Sequence, residues 1–333
     1  MTTENRQWQL ASRPHGAASL DNFRLVTAPL VPLQSGQVRV RNRYLSIDPY
    51  MRPRMDDRRS YVDPQPLGEV MQGETVGEVV ESRSPHFKTG DHVLGMLGWQ
   101  LYATAADTEL TRIQHRSDVP LSTRLGCTGM PGITAWYGLK HIIQPRAGET
   151  IVVAAASGAV GSVVGQLARQ LGARTVGIAG GARKCAIVKD EFGFDVCLDH
   201  RDPHFPQALL QATPDFIDGD FENVGGPVLD AILPRMNAHG RIALCGFISA
   251  YDAKPTPLNN FVCALLNRVK IQGFIITEHP EIWPEASTEL ADLVASGKLH
   301  YRESVTDGLE NAPQALLGLM TGANVGKQLV KLA

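Results

Sequence analysis

The clearest hydrophobic pattern of the chain lies between residues 150 and 184, where two strand-like runs flank a periodic segment. Residues 151–156 are apolar without interruption, as in a parallel strand that is buried on both faces. Residues 175–179 have the composition of a second strand. Between them, apolar residues repeat with a helical period of about 3.6 residues and stop before Gly172: Val160, Val163, Val164, Leu167, Ala168 and Leu171. The pattern predicts a complete βαβ unit.

The turn between the first strand and the helix has a glycine spacing that suits a dinucleotide. Residues 156–161 read ASGAVG, a G-x-G-x-x-G pattern with alanine in the first place. Gly158 would let the backbone approach a pyrophosphate, and Gly161 would allow close helix packing. Amides at the helix N-terminus would point at the phosphates. An ordinary tight turn can also contain such glycines, but the flanking elements favour dinucleotide binding.

The end of the second strand carries positive charge. A cofactor with a free ribose 2'-hydroxyl normally meets an Asp or Glu at this point. Residues 180–184 instead read GGARK, with no carboxylate to repel a 2'-phosphate and two cations to bind one. The sequence therefore favours NADP(H) over NAD(H), although Lys184 could also be an ordinary solvated lysine.

Short strand-like runs, punctuated by glycine and proline, fill roughly the first 120 residues and predict a compact β domain. Strands are predicted over residues 37–45, 75–81 and 90–95. Residues 46–66 contain prolines and clustered arginines and are predicted to form a loop. Tyr50 and Tyr61 in this loop are either site residues that donate a proton or a hydrogen bond, or half-buried anchors.

The second half of the chain predicts an open, doubly wound parallel sheet, in which ligands bind at the carboxyl ends of the strands. Met130 and Thr134, at a loop entering a helix, could face the cofactor. His200 could lie near the adenosine or be a simple loop residue. Strands are predicted over residues 196–198, 216–222, 241–245 and 269–276, helices over 183–192 and 282–296, and a closing strand over 327–331 that would return to the β domain.

Composition and charge narrow the class of protein. A length of 333 residues with 43% hydrophobic and 20% charged residues indicates a globular protein of about two domains. A net charge of -2 gives no general reason to bind nucleic acid or an anionic membrane. The polar amino terminus and the lack of a long apolar run predict a cytoplasmic protein. Five scattered cysteines without a C-x-x-C pair indicate neither a disulfide framework nor a zinc site.

Five motifs in this domain order resemble the medium-chain dehydrogenase/reductase superfamily, and within it the zinc-independent branch. The motifs are YLSIDPYMR at 44–52, GMPGIT at 129–134, AAASGAVG at 154–161, ENVGG at 222–226 and NVGK at 324–327. That branch holds prostaglandin and leukotriene reductases, plant alkenal double-bond reductases and bacterial curcumin reductases. The zinc-dependent relatives carry a Gly-His-Glu run, whereas this chain reads Gln72-Gly73-Glu74 and lacks the imidazole ligand.

The resemblance implies an α/β protein with two domains. Residues 1–124 and 300–333 would form a catalytic, GroES-like β-barrel domain, and residues 125–299 a Rossmann domain with a doubly wound parallel sheet that binds NADP(H). Relatives are commonly homodimers, so a homodimer is expected.

The resemblance also assigns candidate site residues. Lys184 and His200 would meet the 2'-phosphate, and Asn223 and Asn324 the middle of the cofactor. Several relatives have a tyrosine shortly after the turn at Gly273 and Phe274, but this chain reads ITEHP over 276–280, so the proton donor stays open among Tyr50, Tyr61, His279 and water. The complete cofactor set is Met130, Thr134, Ser157, Gly158, Ala159, Val160, Gly161, Gly180, Lys184, His200, Asn223, Cys245, Gly246, Phe274, Ile275, Ile276 and Asn324.

The reaction implied by the resemblance is reduction of the C=C bond of an α,β-unsaturated ketone or aldehyde by NADPH. A hydride would pass to the β-carbon, and the carbonyl would be kept. Negative charge would develop on the carbonyl oxygen, where Tyr50 and backbone amides could donate hydrogen bonds. Two alternatives remain, namely an NADPH quinone reductase on the same fold and a non-catalytic NADP-binding scaffold protein.

Overall fold

The computed structural model describes residues 4–114, 116–252 and 257–332, and the chain forms two compact units. The first unit comprises Met1–Leu125 and Glu303–Ala333, and the second comprises Gly126–Arg302. None of the helices in the described ranges combines the length and apolarity that crossing a bilayer requires.

The first unit is rich in β-structure. With elements numbered along the whole chain, it contains β1 (Glu4–Leu10), β2 (Phe23–Pro29), β3 (Gln37–Ile47), α1 (Met51–Arg54), β4 (Thr75–Ser82), β5 (His92–Gly95), β6 (Tyr102–Ala106), β7 (Thr111–Arg112), β14 (Glu303–Asp307), α9 (Ala312–Met320) and β15 (Lys327–Lys331). Its larger sheet has the order β14-β15-β3-β4-β5-β7, with β6 also paired to β3. A core behind this sheet includes Trp99, whose ring stacks on Phe23 at 5.7 Å.

The carboxyl-terminal tail completes this sheet. β15 pairs antiparallel with β3, from Gln328 opposite Ile47 to Lys331 opposite Tyr44, so the predicted return of the tail to the β domain is confirmed. β14 lies parallel to β15 and was not predicted. Its alternating residues are only half-buried at the edge of the sheet, so they give no strong apolar pattern.

The prediction of a loop over residues 46–66 is wrong for residues 46 and 47, which extend β3, and for Met51–Arg54, which form the short helix α1. Residues Met51 and Met55 are four positions apart and both are buried in the core, so one helical turn, α1, places them on the same side. Arg52, which is 1% exposed, forms an ion pair with Asp56 at 2.7 Å within the same turn. Pro53 is tolerated because it lies in the first turn of the helix.

The second unit is an α/β domain built on a parallel sheet. Its elements are α2 (Met130–Tyr137), β8 (Thr150–Ala154), α3 (Gly161–Gln170), β9 (Arg174–Ala179), α4 (Ala182–Asp190), β10 (Val196–Asp199), α5 (Phe205–Ala212), β11 (Ile217–Glu222), α6 (Gly226–Ile232), β12 (Met236–Leu244), α7 (Val262–Leu266), β13 (Lys270–Gly273) and α8 (Trp283–Ala295). The strand order is β10-β9-β8-β11-β12-β13, and every pair is parallel. This is the predicted doubly wound order of a dinucleotide-binding sheet.

Glycine residues mark two local features of this unit, one in a helix and one at the end of a strand. A Cβ built on Gly165 of α3 would lie 1.8 Å from the ring of Phe194, so the glycine allows the ring to lie directly against the helix. β13 ends at Gly273, three residues earlier than predicted, because the chain turns into a short 3-10 segment at Ile276–Glu278.

Candidate functional site

The carboxyl ends of β8 and β11 mark the ligand crevice of the second unit. The chain leaves β8 toward β9 and β10 on one side and returns on the other side with β11, so the direction of the sheet reverses between β8 and β11. Ligands of open α/β sheets bind at this reversal, outside the carboxyl ends of the strands. The glycine-containing turn over residues 155–160 lies there, directly after β8.

The turn after β8 is held closely against the strand. Ala155 has a positive φ of 52°, which turns the chain sharply as β8 ends. A Cβ built on Gly161 would lie 2.5 Å from the carbonyl oxygen of Ala155 and 2.9 Å from the Cα of Ala156, so no side chain fits where α3 begins. Gly158 is less crowded, with its built Cβ 3.2 Å from the same oxygen. Ser157 is buried at 6% exposure, and Ala159 and Val160 are half-buried.

Three basic side chains converge at the carboxyl ends of β9 and β10. A Cβ built on Gly180 would lie 3.0 Å from both Nε2 of His200 and Nε of Arg201. Lys184 lies near them in the first turn of α4, where partial burial and the charge of Arg201 lower its pKa. We call Lys184, His200 and Arg201 the basic cluster. Mutual repulsion makes such a group a suitable place for an anion.

Asp199 organises the loop that carries this cluster. Its Oδ1 accepts hydrogen bonds from the backbone amides of Gly181 at 2.8 Å and Arg201 at 2.9 Å. Partial burial and Arg201 lower the pKa of His200, so the imidazole is mainly neutral at neutral pH. The sequence predicted Lys184 and His200 but gave Arg201 no role. The sequence feature that could have indicated Arg201 is its position as a further basic residue directly after the strand, in the segment LDHR.

The ends of β8, β11 and β12 are tied together by hydrogen bonds. The side-chain Nδ2 of Asn223 donates to the carbonyl of Ala154 at 2.8 Å. The amides of Cys245 and Gly246 donate to the carbonyl of Glu222 at 2.9 and 3.1 Å. Burial raises the pKa of the Cys245 thiol to about 12, so it stays protonated. The predicted cofactor residues Asn223, Cys245 and Gly246 therefore share one edge of the sheet.

The predicted nicotinamide end is lined by aromatic side chains. The ring of Phe274 packs edge-on against Phe221, with centroids 6.3 Å apart, and at a tilt of 39° against Tyr137, with centroids 5.5 Å apart. The carbonyl of Ile276, a buried residue, accepts a hydrogen bond from Nε1 of Trp283 at 3.2 Å. Ile275, between them, has extended backbone.

In α2, the hydroxyl of Thr134 donates to the carbonyl of Met130 at 2.7 Å, and Met130 is half-buried. Thr134 thus satisfies its own hydroxyl within the helix.

Two buried carboxyl groups in β11 were missed by the sequence reasoning. Asp220 is fully buried and lies between Val152 of β8 and Ile242 of β12, and its two carboxyl oxygens have no hydrogen-bond partner among the described residues. Burial and nearby Glu222 raise its pKa well above the ordinary value. One oxygen of Glu222 instead accepts from the amides of Val224 and Gly225. The sequence feature that could have indicated them is three acidic residues at alternate positions of a buried strand, Asp218, Asp220 and Glu222 in IDGDFE.

The two tyrosine candidates belong to the first unit and share a cation. The guanidinium of Arg54 lies 4.4 Å from the ring centre of Tyr50 and 6.0 Å from that of Tyr61. The hydroxyl of Tyr50 is buried without a hydrogen-bond partner among the described residues, whereas Tyr61 is 53% exposed. Asn324, also in this unit, donates from its side chain to the carbonyl of Gly326 at 2.8 Å.

His279, the remaining candidate for catalysis, belongs to the second unit. Its ring stacks on Tyr137 with centroids 4.3 Å apart, and its Nδ1 lies 3.5 Å from a carboxylate oxygen of Glu281. Both contacts orient the ring.

In the described ranges, no group of three or more His, Cys, Asp or Glu side chains is placed to hold a metal ion.

Comparisons with known proteins match both halves of the chain. Residues 6–113 match the family model described as the N-terminal domain of oxidoreductase, and residues 159–292 match the one described as zinc-binding dehydrogenase. The NADPH-dependent curcumin reductase of Escherichia coli is 47% identical over 99% of this chain and 97% of that protein. The 2-alkenal reductase (NADP(+)-dependent) of Nicotiana tabacum is 43% identical over 91% of this chain and 89% of that protein.

A solved structure agrees over the full length. The crystal structure of CurA from Vibrio vulnificus in complex with NADPH superposes with a TM-score of 0.95 at 44% identity and covers 98% of this chain and 99% of that one. The chain therefore belongs to the medium-chain dehydrogenase/reductase family, in the branch of the curcumin and 2-alkenal reductases.

Proposed function

We propose that the protein uses NADPH to reduce the C=C bond of α,β-unsaturated ketones and aldehydes. The observation that carries this proposal is the 47% identity, over 99% of the chain, with an NADPH-dependent curcumin reductase. The relative solved with NADPH, at 44% identity, supports the same cofactor. The enzyme is thus an NADP-dependent oxidoreductase that acts on small enones or alkenals.

The residues of the second unit fit NADP(H). The turn after β8 excludes a side chain at Gly161, which leaves room for a pyrophosphate against the backbone. The basic cluster at the ends of β9 and β10 offers a guanidinium, an ammonium and an imidazole to the 2'-phosphate. When bound, NADPH would supply the hydride for the reaction.

The chain's own task in the reaction is to stabilise the charge that develops on the substrate. Hydride addition at the β-carbon moves an electron pair onto the carbonyl oxygen, and donors aimed at that oxygen lower the barrier. The candidates for this donor are Tyr61, His279, a water and Tyr50, whose hydroxyl is buried without a hydrogen-bond partner among the described residues. Arg54 fixes the ring of Tyr50 by stacking at 4.4 Å. Orientation and electrostatics would supply most of the rate.

The proposed function is tested by following NADPH oxidation with an enone, an alkenal and a benzoquinone, together with product analysis. We expect turnover with the enone and alkenal, and products that have lost the C=C bond and kept the carbonyl. Turnover with the benzoquinone alone would point to a quinone reductase. Tight NADPH binding without turnover on any of the three would point to a scaffold protein.

We also propose that the protein forms a homodimer through the edge of the second unit's sheet. β13 is the last strand in the sheet order, so its outer backbone groups can pair with a further strand. The adjoining α7 segment exposes Phe261 by 55%, Val262 by 58%, Leu265 by 76% and Leu266 by 62%. A second copy suits this surface, because a strand edge and its apolar flank can pair with themselves across a two-fold axis.

A charge placed on this surface tests the homodimer. We expect Leu265→Glu to convert a dimer into a monomer in sedimentation velocity, because the carboxylate would be buried against an apolar partner. Leu210→Glu is the matched control, since Leu210 on α5 is 57% exposed and lies outside this surface. A monomeric unmodified protein, or a Leu265→Glu variant that stays dimeric, would contradict the proposal.

We further propose that the protein acts in the cytoplasm. All five cysteines are free, including Cys185 and Cys197, which contact each other, and thiols persist in a reducing compartment. Cell fractionation with an antibody to the protein would test this assignment.

A further inference from the structure

Cys185 and Cys197 place two thiols side by side on neighbouring elements of the second unit. Cys185 lies in α4 and Cys197 in β10, and the thiol of Cys197 donates a hydrogen bond to the sulfur of Cys185. Both thiols are free. Two thiols in mutual contact become a disulfide when the sulfurs approach each other to about 2.05 Å.

The packing of α4 on the sheet fixes this contact. Cys197 is paired in register with Gly177 of β9, so the two residues point to the same face of the sheet. A Cβ built on Gly177 would lie 2.9 Å from Cγ1 of Val188, so α4 covers this face. Val188 follows Cys185 by three positions, and both side chains therefore lie on the same side of the helix. The thiol of Cys185 is thus held over the strands, beside Cys197.

The two thiols differ in their access to solvent. Both residues are partly exposed, and Cys185 is the less deeply buried of the two. β10 is the edge strand opposite β13, so the pair lies away from the proposed dimer surface. Burial raises the pKa of both thiols, so they are protonated at neutral pH and react slowly. An oxidant in solution therefore meets Cys185 first.

The pair is joined through the chain to the basic cluster. Lys184 directly precedes Cys185 in the first turn of α4. Asp199, two positions after Cys197, accepts a hydrogen bond from the amide of Arg201 at 2.9 Å. Pulling the two sulfurs together therefore shifts both elements that carry the cluster. Charged hydrogen bonds to a phosphate depend on distance and direction, so such a shift weakens them.

We propose that Cys185 and Cys197 form a reversible disulfide, and that this disulfide weakens the binding of NADPH. The effect on the cofactor rests on the proposed function, whereas formation of the bond does not. The oxidant is a low-molecular-weight disulfide of the glutathione type. Disulfides of cytosolic proteins are usually transient and sense the redox state, so this site agrees with the proposed location of the protein.

The bond forms in two thiol–disulfide exchanges. The thiolate of Cys185 attacks one sulfur of glutathione disulfide, whose S–S bond breaks to release the first glutathione thiolate. The thiolate of Cys197 then attacks the sulfur of Cys185 and displaces the second glutathione. The two thiol protons pass through water to the two glutathione thiolates. The cysteines together lose two electrons, and one glutathione disulfide gains them to become two molecules of glutathione.

The first test maps the bond in the unmodified protein. The reduced protein is incubated with a large excess of glutathione disulfide until no further change occurs, and is then alkylated, digested and analysed by mass spectrometry. We expect a linked pair of peptides that contain Cys185 and Cys197, and its loss after treatment with dithiothreitol. In Cys197→Ser, the reaction should stop at a glutathione adduct on Cys185. Absence of the linked pair in the unmodified protein would overturn the proposal.

The second test measures the dissociation constant of NADPH, by its fluorescence, in the reduced and the oxidised protein. We expect oxidation to raise this constant roughly tenfold, which is the effect of losing one charged hydrogen bond to the phosphate. Dithiothreitol should restore the original value. The constant for NADH should stay the same, because NADH lacks the 2'-phosphate. An unchanged constant for NADPH, or equal increases for both cofactors, would overturn the proposed effect on the cofactor.

Cysteine variants separate the disulfide from other effects of the oxidant. In Cys185→Ser, the dissociation constant of NADPH should not respond to glutathione disulfide, and a response like that of the unmodified protein would contradict the proposal. Cys263→Ser is the matched control, because Cys263 is also free and partly exposed but lies on α7. We expect this control to respond as the unmodified protein does.

Mapping of the bond needs no variant, so a poorly folded variant does not protect the proposal. Failure of the proposed function gives a different result. The reduced protein would then oxidise no NADPH with an enone, whereas the linked peptides, whose formation needs neither cofactor nor substrate, would still be found.

Discussion

Replacing Lys184 with alanine should weaken the binding of NADPH and leave the binding of NADH unchanged. The ammonium group is half-buried beside Arg201, and we propose that it binds the 2'-phosphate, which NADPH carries and NADH lacks. A hydrogen bond to a charged group contributes about 1.5 to 3 kcal/mol. His200 and Arg201 remain in the variant, and the site is partly exposed, so the lower end applies. We expect a loss of about 1.5 kcal/mol, or a roughly tenfold higher Michaelis constant for NADPH.

The assay measures Michaelis constants for both cofactors with one saturating enone. Lys189→Ala is the matched control, because Lys189 is an exposed lysine near the other end of the same helix, α4. We expect the control to behave as the unmodified protein does. An unchanged constant for NADPH in Lys184→Ala, or equal increases for NADPH and NADH, would refute the assignment of the basic cluster to the 2'-phosphate.

Three further variants test individual structural inferences. Arg201→Ala should also raise the Michaelis constant for NADPH several-fold and spare NADH, and equal effects on both cofactors would exclude this role. Gly161→Ala places a Cβ 2.5 Å from the carbonyl oxygen of Ala155, so the turn must move and the dissociation constant of NADPH should rise at least tenfold. Asp220 has a raised pKa, so its contribution to stability is present below about pH 3.8, its ordinary pKa, and is lost as pH rises. Relative to Asp220→Asn, the unmodified protein should lose up to about 1.4 kcal/mol of unfolding free energy per pH unit above that value, and parallel denaturation curves across pH would contradict this.

Local patterns in the sequence predicted most of the elements. The apolar run of β8 and the helical period of α3 are patterns of neighbouring residues. The βαβ unit can therefore be predicted without knowledge of any tertiary contact. The return of the closing strand to the β domain was predicted as the simplest arrangement of the tail, and the pairing of β15 with β3 confirms it. Elements with weak patterns escaped this reasoning. α1 depends on burying Met51 and Met55 in a core assembled from distant strands, and β14 depends on the edge that β15 provides.

Some residues of the candidate site were predicted from local sequence, whereas others are brought together only by folding. The glycine turn and Lys184 were predicted because their roles depend on backbone conformation and charge close to one another in the chain. Arg201 stood beside His200 in the sequence, but only folding shows that both side chains lie over Gly180. The roles of all the candidate site residues stay predictions, those of Lys184, His200, Asn223 and Asn324 as much as those of the three candidates for catalysis.

The sequence by itself determined the family, the dinucleotide turn and the positive charge that favours a phosphorylated cofactor, because each is carried by residue types at short spacing. The tertiary structure alone decided which titratable groups are buried and which have partners. Glu74 and Asp48 are 26 positions apart, and Lys327 comes near the end of the chain. Folding nevertheless brings them close enough for Asp48 and Lys327 to shift the pKa of Glu74. A carboxyl group's pKa depends on the water and charges around it, and a linear sequence specifies neither.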